Sequence, residues 1–475
     1  MKPRLHIHTE LESELVLLGA ADRVGLLAEI ERVIAYLRRA PFPQLRDIAL
    51  TTGLEAHDAL YRAAIVATSA ADLLDKLLLQ QRRLSEGRER SLPGKGVFLG
   101  TDICPAPGRT VFVFPGEGSQ YPDMLREICL HFPACRSAFD DADTACALAG
   151  SPIPPSQWIF PTGQAAPGTP LGMADAVQAV LAADTAFLRF FTQLGIAPDA
   201  VAGVGVGEIT ALECAGAIRF NSRADRLAAL RDGYKLLKGI SDSTRTPVCA
   251  CLSSEGLHRE ALEECLRPFG EAVTVSRDHS AGLFGLCVRQ PAAEKVAQAL
   301  REAGATVRVL PLTQPYHTPW MDHVRPELAA FFARLVNHEP AVPVYSCMTA
   351  APHAASLEAL AKAAGAQWTR PLRFADTIRR LYDDGFRVFV ELGARGSLTA
   401  SIDGILRHRP HVALAANRGH RSALQQLHFT LAELAAHRQK IDIAPLHVNR
   451  GSQELDLSRP RPTHAQRAER MLPVS

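Results

Sequence analysis

Residues Gly203-Val204-Gly205-Val206-Gly207-Glu208 follow the apolar run Ala200-Val201-Ala202, giving the pattern of a strand, a sharp turn and a helix start. Such a turn presents a nucleophile when it reads G-x-S-x-G. The flanking glycines allow backbone segments to approach closely, the serine stands at the tip, and the helix start aims N–H groups at a developing oxyanion. Glycines occupy 203 and 207 here, but the tip, Gly205, is glycine as well. No hydroxyl or thiol stands where acyl-transfer chemistry needs one. Cys214 lies nine positions further on. At 1.5 Å per residue that is about 13 Å down a helix, so it reads as a core residue rather than a stand-in. A dinucleotide-binding reading fails at position 208: G-x-G-x-x-G needs a third glycine there, and Glu208 would repel a pyrophosphate.

Other segments fall into order around this turn. Phe114-Pro115-Gly116-Glu117-Gly118-Ser119-Gln120 resembles an FPGQGSQ loop with Glu117 in place of the first glutamine. Gly203 to Glu208 resembles GHSxGE, with Val204 for the histidine and Gly205 for the serine. Tyr316-His317-Thr318-Pro319-Trp320-Met321 resembles the H-[ST]-P-L-M run, and Glu391-Leu392-Gly393 a late ELG turn. Together they resemble the acyltransferase domain of type I polyketide and polyunsaturated-fatty-acid synthases, related to malonyl-CoA:acyl carrier protein transacylase. The likeness covers about 107–435. The first hundred residues resemble a ketosynthase-to-acyltransferase linker, and 427–449 a post-acyltransferase linker.

The resemblance implies roles. In that family a serine takes malonyl from CoA and passes it to the phosphopantetheine thiol of an acyl carrier protein, with a histidine as base. His317 falls at the base position and Gly205 at the nucleophile position. Arg231 falls where the family pairs an arginine with the malonyl carboxylate. The N–H groups of Glu117 and Val206 fall at the oxyanion-hole positions. No covalently bound cofactor is implied; acyl-CoA and the phosphopantetheine carrier are the family's substrates. Partners implied are an acyl carrier protein and a ketosynthase or other synthase modules. Trp320 replaces a smaller aliphatic residue and is expected near His317, and Gln314-Pro315-Tyr316-His317 matches neither common pattern for choosing malonyl or methylmalonyl.

The elements that must position these residues read as α/β: a hydrolase-like parallel-sheet large subdomain, an inserted ferredoxin-like small subdomain, and a preceding small α/β linker domain. Within the linker domain (1–106), strands are expected at 15–18 and 63–67, helices through Ile30–Leu37 and Leu73–Leu84, and a linker at Pro93-Gly94. The large subdomain (107–246) opens with Thr110-Val111-Phe112-Val113-Phe114, apolar throughout as a strand buried on both faces would be. Helices follow at 122–147 and 172–194, and a long one from Glu208. Within 247–311, the order β-α-β-β-α-β fits a ferredoxin-like unit. The large subdomain resumes at 312–435, and 436–475 reads as post-acyltransferase linker with an extended or disordered tail over the last 25 residues.

Composition bounds the alternatives. The 475 residues are 47% hydrophobic and 21% charged, which is globular usage, and a net charge of +2 leaves no electrostatic footprint for nucleic acid or an anionic membrane. No apolar run approaches the ~18 residues of a membrane span. No signal-peptide pattern precedes the body, so a cytoplasmic protein is expected. Of 10 cysteines none forms C-x-x-C, and no metal site is expected; Cys249 and Cys251, on one side of a strand, read as reduced core thiols. The reading is an acyltransferase-like protein silent in malonyl transfer, acting as a structural or docking component. Two alternatives stay open: a non-covalent thioester hydrolase or decarboxylase using His317 and Arg231, and a carrier-protein binding module.

Overall fold

The computed structural model describes residues 10–56, 59–100, 108–161, 171–280, 282–310, 312, 314–354, 356–419 and 421–458. It divides into two units. The first holds residues up to 107, the stretch 191–197 and everything from 421 onward; the second holds 108–190 and 198–420. The expected boundary at 106/107 lies outside the described residues, as does the tail beyond Ser458.

In the first unit an antiparallel sheet orders Glu14–Ala20, Tyr61–Ala67 and Val97–Gly100. The two anticipated helices run over Arg23–Arg39 and Ala70–Ser85, capped by the Asp22 and Ser69 side chains. A further helix, Leu45–Glu55, and the strand Val97–Gly100 were not legible as elements. Helix Ala423–Ala436 packs on the strands. Beyond it, Arg450 pairs with Glu14, both buried. Part of the expected tail is ordered: Leu457 is buried in the core with Val16 and Ile30, and Leu455 N donates to Thr51 Oγ1 at 2.9 Å.

In the second unit a six-stranded sheet runs in the order Ala351–Pro352, Val344–Ser346, Ala200–Gly203, Arg109–Phe114, Phe386–Glu391, Val412–Ala415. All neighbours are parallel except the first pair. The two central strands, Arg109–Phe114 and Ala200–Gly203, are buried almost throughout, as their uninterrupted apolar sequences require. They are adjacent, with Phe114 opposite Gly203. Both loops therefore leave the same, carboxyl edge of the sheet, where parallel sheets place their sites. The small sheet orders Val273–Ser280, Leu283–Arg289, Cys249–Glu255 and Thr306–Leu310, antiparallel, the ferredoxin-like arrangement, and Leu372–Arg373 adds a parallel strand at its edge.

The helix after the glycine turn is shorter than expected. It covers Gly207–Cys214 and stops before Gly216, whose φ of +76° is left-handed and ends a helix. A second helix, Arg223–Ser241, begins at the Ser222 cap. The helices expected at 122–147 and 172–194 are Arg126–His131, Pro133–Leu148 and Met173–Gln193. No helix among the described residues is long and apolar enough to cross a membrane.

Candidate active site

Close backbone approach builds the site. An added Cβ would lie 2.2 Å from Glu208 N at Gly203, 2.3 Å from Phe114 O at Gly207, and 2.3 Å from Val204 O at Gly116. Glycine is therefore required on both loops, and Val204 N donates to Phe114 O at 3.0 Å to hold them together. The ELG turn supports them from the third strand. Glu391 accepts from Thr399 N at 2.7 Å and Thr399 Oγ1 at 2.8 Å, and Leu392 N donates to Val113 O at 3.0 Å. A Cβ on Gly393 would meet Pro115 Cγ at 2.3 Å.

Gly205 sits at the tip with a φ of +58°, a left-handed conformation that an L side chain adopts only under strain. The space beside it is filled. A β-carbon there would lie 2.5 Å from Glu117 Oε2, 3.0 Å from Glu117 Oε1 and 2.9 Å from His317 Nε2. Glu117 is wholly buried and engages three partners. Its Oε2 accepts from Val206 N–H at 3.2 Å at the start of the helix, its Oε1 lies 3.1 Å from His317 Nε2, and Arg277 donates both to Oε1 and to its backbone oxygen. Burial would push its pKa up, but the Arg277 charge and the His317 hydrogen bond outweigh that and hold it at about 2. The site thus carries its own anion, cradled as a bound ligand's would be.

His317, also wholly buried, has a φ of +58° and is fixed on both sides of its ring. Its backbone N–H donates to Trp368 O at 3.1 Å, and Nδ1 lies 2.8 Å from Gln367 O, a carbonyl that only accepts. Nδ1 therefore carries a proton. Nε2 faces an ionised carboxylate, which also only accepts, so that contact too is a hydrogen bond only when Nε2 carries a proton. The Gln367 side chain donates to Gly205 O at 2.9 Å, tying the histidine's support to the turn.

Of the residues singled out from the sequence, Glu117, Gly205, Val206 and His317 come together. Arg231 does not join them: on the helix Arg223–Ser241 its guanidinium pairs with the neighbouring Asp232, 2.8 Å from Nε. Among the described residues two arginines line the site's cavity, Arg395 and, from the small subdomain, Arg277, which pairs with Glu117. With Glu117, Val204, His279 and Tyr316 they line a volume of about 280 Å³. Burial and the Arg277 charge pull the His279 pKa down to about 3, keeping that ring neutral, and burial holds Tyr316 well above its ordinary value. Trp320 packs on a group of cysteines with Arg289 over its ring, and Trp368 lies near His317, with ring centroids 6.2 Å apart. Burial pushes the Cys214 thiol up to about 12, and Glu208 is buried facing His353 Nε2 at 3.2 Å. Sequence reasoning missed Arg277 and Gln367, since neither stands in a local pattern that marks it.

Comparison with known proteins agrees with this architecture. The family described as acyl transferase domain matches residues 111–443. Polyketide synthase GfsA of Streptomyces halstedii is 25% identical over 456 residues; the match covers 93% of this chain but only 6% of that protein. The solved acyltransferase domain of the iterative polyketide synthase in enediyne biosynthesis superposes with a TM-score of 0.67 at 25% identity, covering 92% of this chain and 100% of that one. A malonyl-transacylase solved in complex with a type II polyketide synthase acyl carrier protein has a TM-score of 0.58 at 24% identity, covering 67% of this chain and 98% of that one. With the match spanning most of its length, and the glycine turn, the Glu117 loop and the His317 segment meeting at one sheet edge, this chain belongs to the acyl transferase domain family.

Proposed function

We propose that this chain is an acyltransferase-fold unit of polyketide or fatty-acid biosynthesis that has lost malonyl transfer from CoA to acyl carrier protein and serves as a structural or docking component. The observation that carries this reading is the Glu117 carboxylate, which occupies the space beside Gly205, takes the Val206 N–H and engages His317. Each part of a covalent mechanism is thereby pre-empted. Gly205 offers no nucleophile. His317 Nε2, the atom that would accept a nucleophile's proton, faces the Glu117 carboxylate instead. The Val206 N–H, at the oxyanion-hole position, is already bonded to a carboxylate. Losing the nucleophile of a catalytic unit removes on the order of a million-fold in rate, and the remaining members do not compensate.

The complex of a malonyl-transacylase with a carrier protein supports an acyl carrier protein as the docking partner. The test is incubation of the chain with malonyl-CoA followed by intact-mass measurement. No adduct is expected; a stable adduct of malonyl mass overturns the reading. The open cavity favours a second one, in which a thioester is hydrolysed by a water, or a malonyl thioester decarboxylated, without a covalent intermediate. Arg231 is not in that cavity's lining, so Arg277 or Arg395 would hold the anion there. Unchanged turnover of malonyl or acyl thioesters by His317→Ala removes this alternative. Pull-down of a carrier protein by a chain that turns over nothing marks the binding-module form of the first reading.

A further inference from the structure

Cys249 and Cys251 are two apart on the strand Cys249–Glu255 and so share one face. The antiparallel neighbour Leu283–Arg289 places Cys287 directly opposite Cys251. The expected pair of core thiols is therefore a trio. The Sγ atoms of Cys249 and Cys251 are 3.9 Å apart, those of Cys251 and Cys287 also 3.9 Å, and all three lie within 4.8 Å of one another. Three sulfurs each about 2.3 Å from one ion are separated by about 3.8–4.0 Å, whether the ion lies in their plane or above it. The two closest edges meet that spacing without movement.

The surroundings suit an ion that prefers sulfur. All three thiols are buried, and Leu310, Leu312 and Trp320 pack against them as an apolar shell. Cys251 and Cys287 also line the 280 Å³ cavity, which gives an ion and a solvent ligand a way in.

We propose that Cys249, Cys251 and Cys287 form a three-thiolate site for a thiophilic d10 cation, Cu(I) or Zn(II). Among the described residues the group includes no fourth protein ligand. Cu(I) is satisfied by three sulfurs. Zn(II) takes a water from the cavity as its fourth ligand. Binding moves the protons of the coordinated thiols to solvent and transfers no electron. The three thiols open on the same cavity as Glu117 and Arg277 but use none of the acyl-transfer residues, so the site stands whether or not acyl transfer survives.

The test uses the whole chain, reduced and stripped of metal. Cd(II), a spectroscopic substitute for Zn(II), is titrated while the ultraviolet sulfur-to-metal charge-transfer band is followed, and Cu(I) is titrated against a colorimetric chelator. One ion per chain is expected, with loss of at least tenfold in affinity in Cys251→Ser and Cys287→Ser and none in Cys265→Ser, which lies on the helix Arg259–Leu266 and outside the thiol group. Tightest binding of either ion supports the site and names its occupant. Binding of neither ion, or binding unchanged in both serine variants, overturns it. X-ray absorption of the wild-type metal complex does not depend on variants that fold: three sulfurs at about 2.3 Å support the site, and one sulfur or none overturns it.

Discussion

At position 205 a serine would compete for space with a carboxylate. Gly205→Ser alone sets its β-carbon 2.5 Å from Glu117 Oε2 in a left-handed backbone, a combination expected to cost about 1–3 kcal/mol of stability and to give no malonyl labelling. Glu117→Gln in the same chain removes the charge that ties His317, and the double variant is expected to label with malonyl-CoA. Intact mass and thermal unfolding of the single and double variants check both points; labelling of the single variant would show that Glu117 does not hold the position. Acid stability offers an independent reading. Since the folded Glu117 titrates at about 2, below its ordinary value of 4.5, its pairing stabilises the fold fully above about pH 4.5, and that contribution is lost as pH falls towards 2. The melting-temperature difference between wild type and Glu117→Gln should therefore shrink across that window. A difference constant from pH 7 to 2.5 would place the stabilisation elsewhere.

Among the elements, legibility followed locality. Strand Arg109–Phe114 announced itself by an unbroken apolar run, and the glycine turn by backbone crossings too close for any side chain. The order of strands and helices gave the small sheet, because short alternating elements leave few topologies. The helix from Glu208 was overextended because the left-handed Gly216, rather than a loss of apolar periodicity, terminates it. Helix Leu45–Glu55 has no continuous apolar stripe to mark it, since half of its buried set, Asp47, Thr51 and Thr52, is polar. Arg277 was invisible for another reason. It sits on a strand whose pairing shifts register between Val275 and Arg277, and it reaches a glutamate 160 residues away. Family position pointed instead to Arg231, whose guanidinium the adjacent Asp232 holds.

Over the whole chain, the first unit is closed by residues far apart in sequence. Arg450 donates to Glu14 Oε2 at 3.0 Å across 436 positions, with both side chains almost fully buried. Burial pushes the Glu14 pKa up despite this partner, so a lone Glu14 would be poorly tolerated. Arg450→Met is expected to destabilise this unit by about 3–5 kcal/mol, read by chemical denaturation. Glu14→Leu in the same background should restore much of the loss; equal denaturation of wild type and Arg450→Met would show the pair to be energetically idle.

The glutamate lodged against Gly205 also bears on descent. On the proposed reading, a change to serine alone meets an occupied crevice, and a change to glutamine alone leaves an empty tip with nothing to acylate. Acyl transfer then returns only when both positions change together, so the two residues would be inherited as a pair.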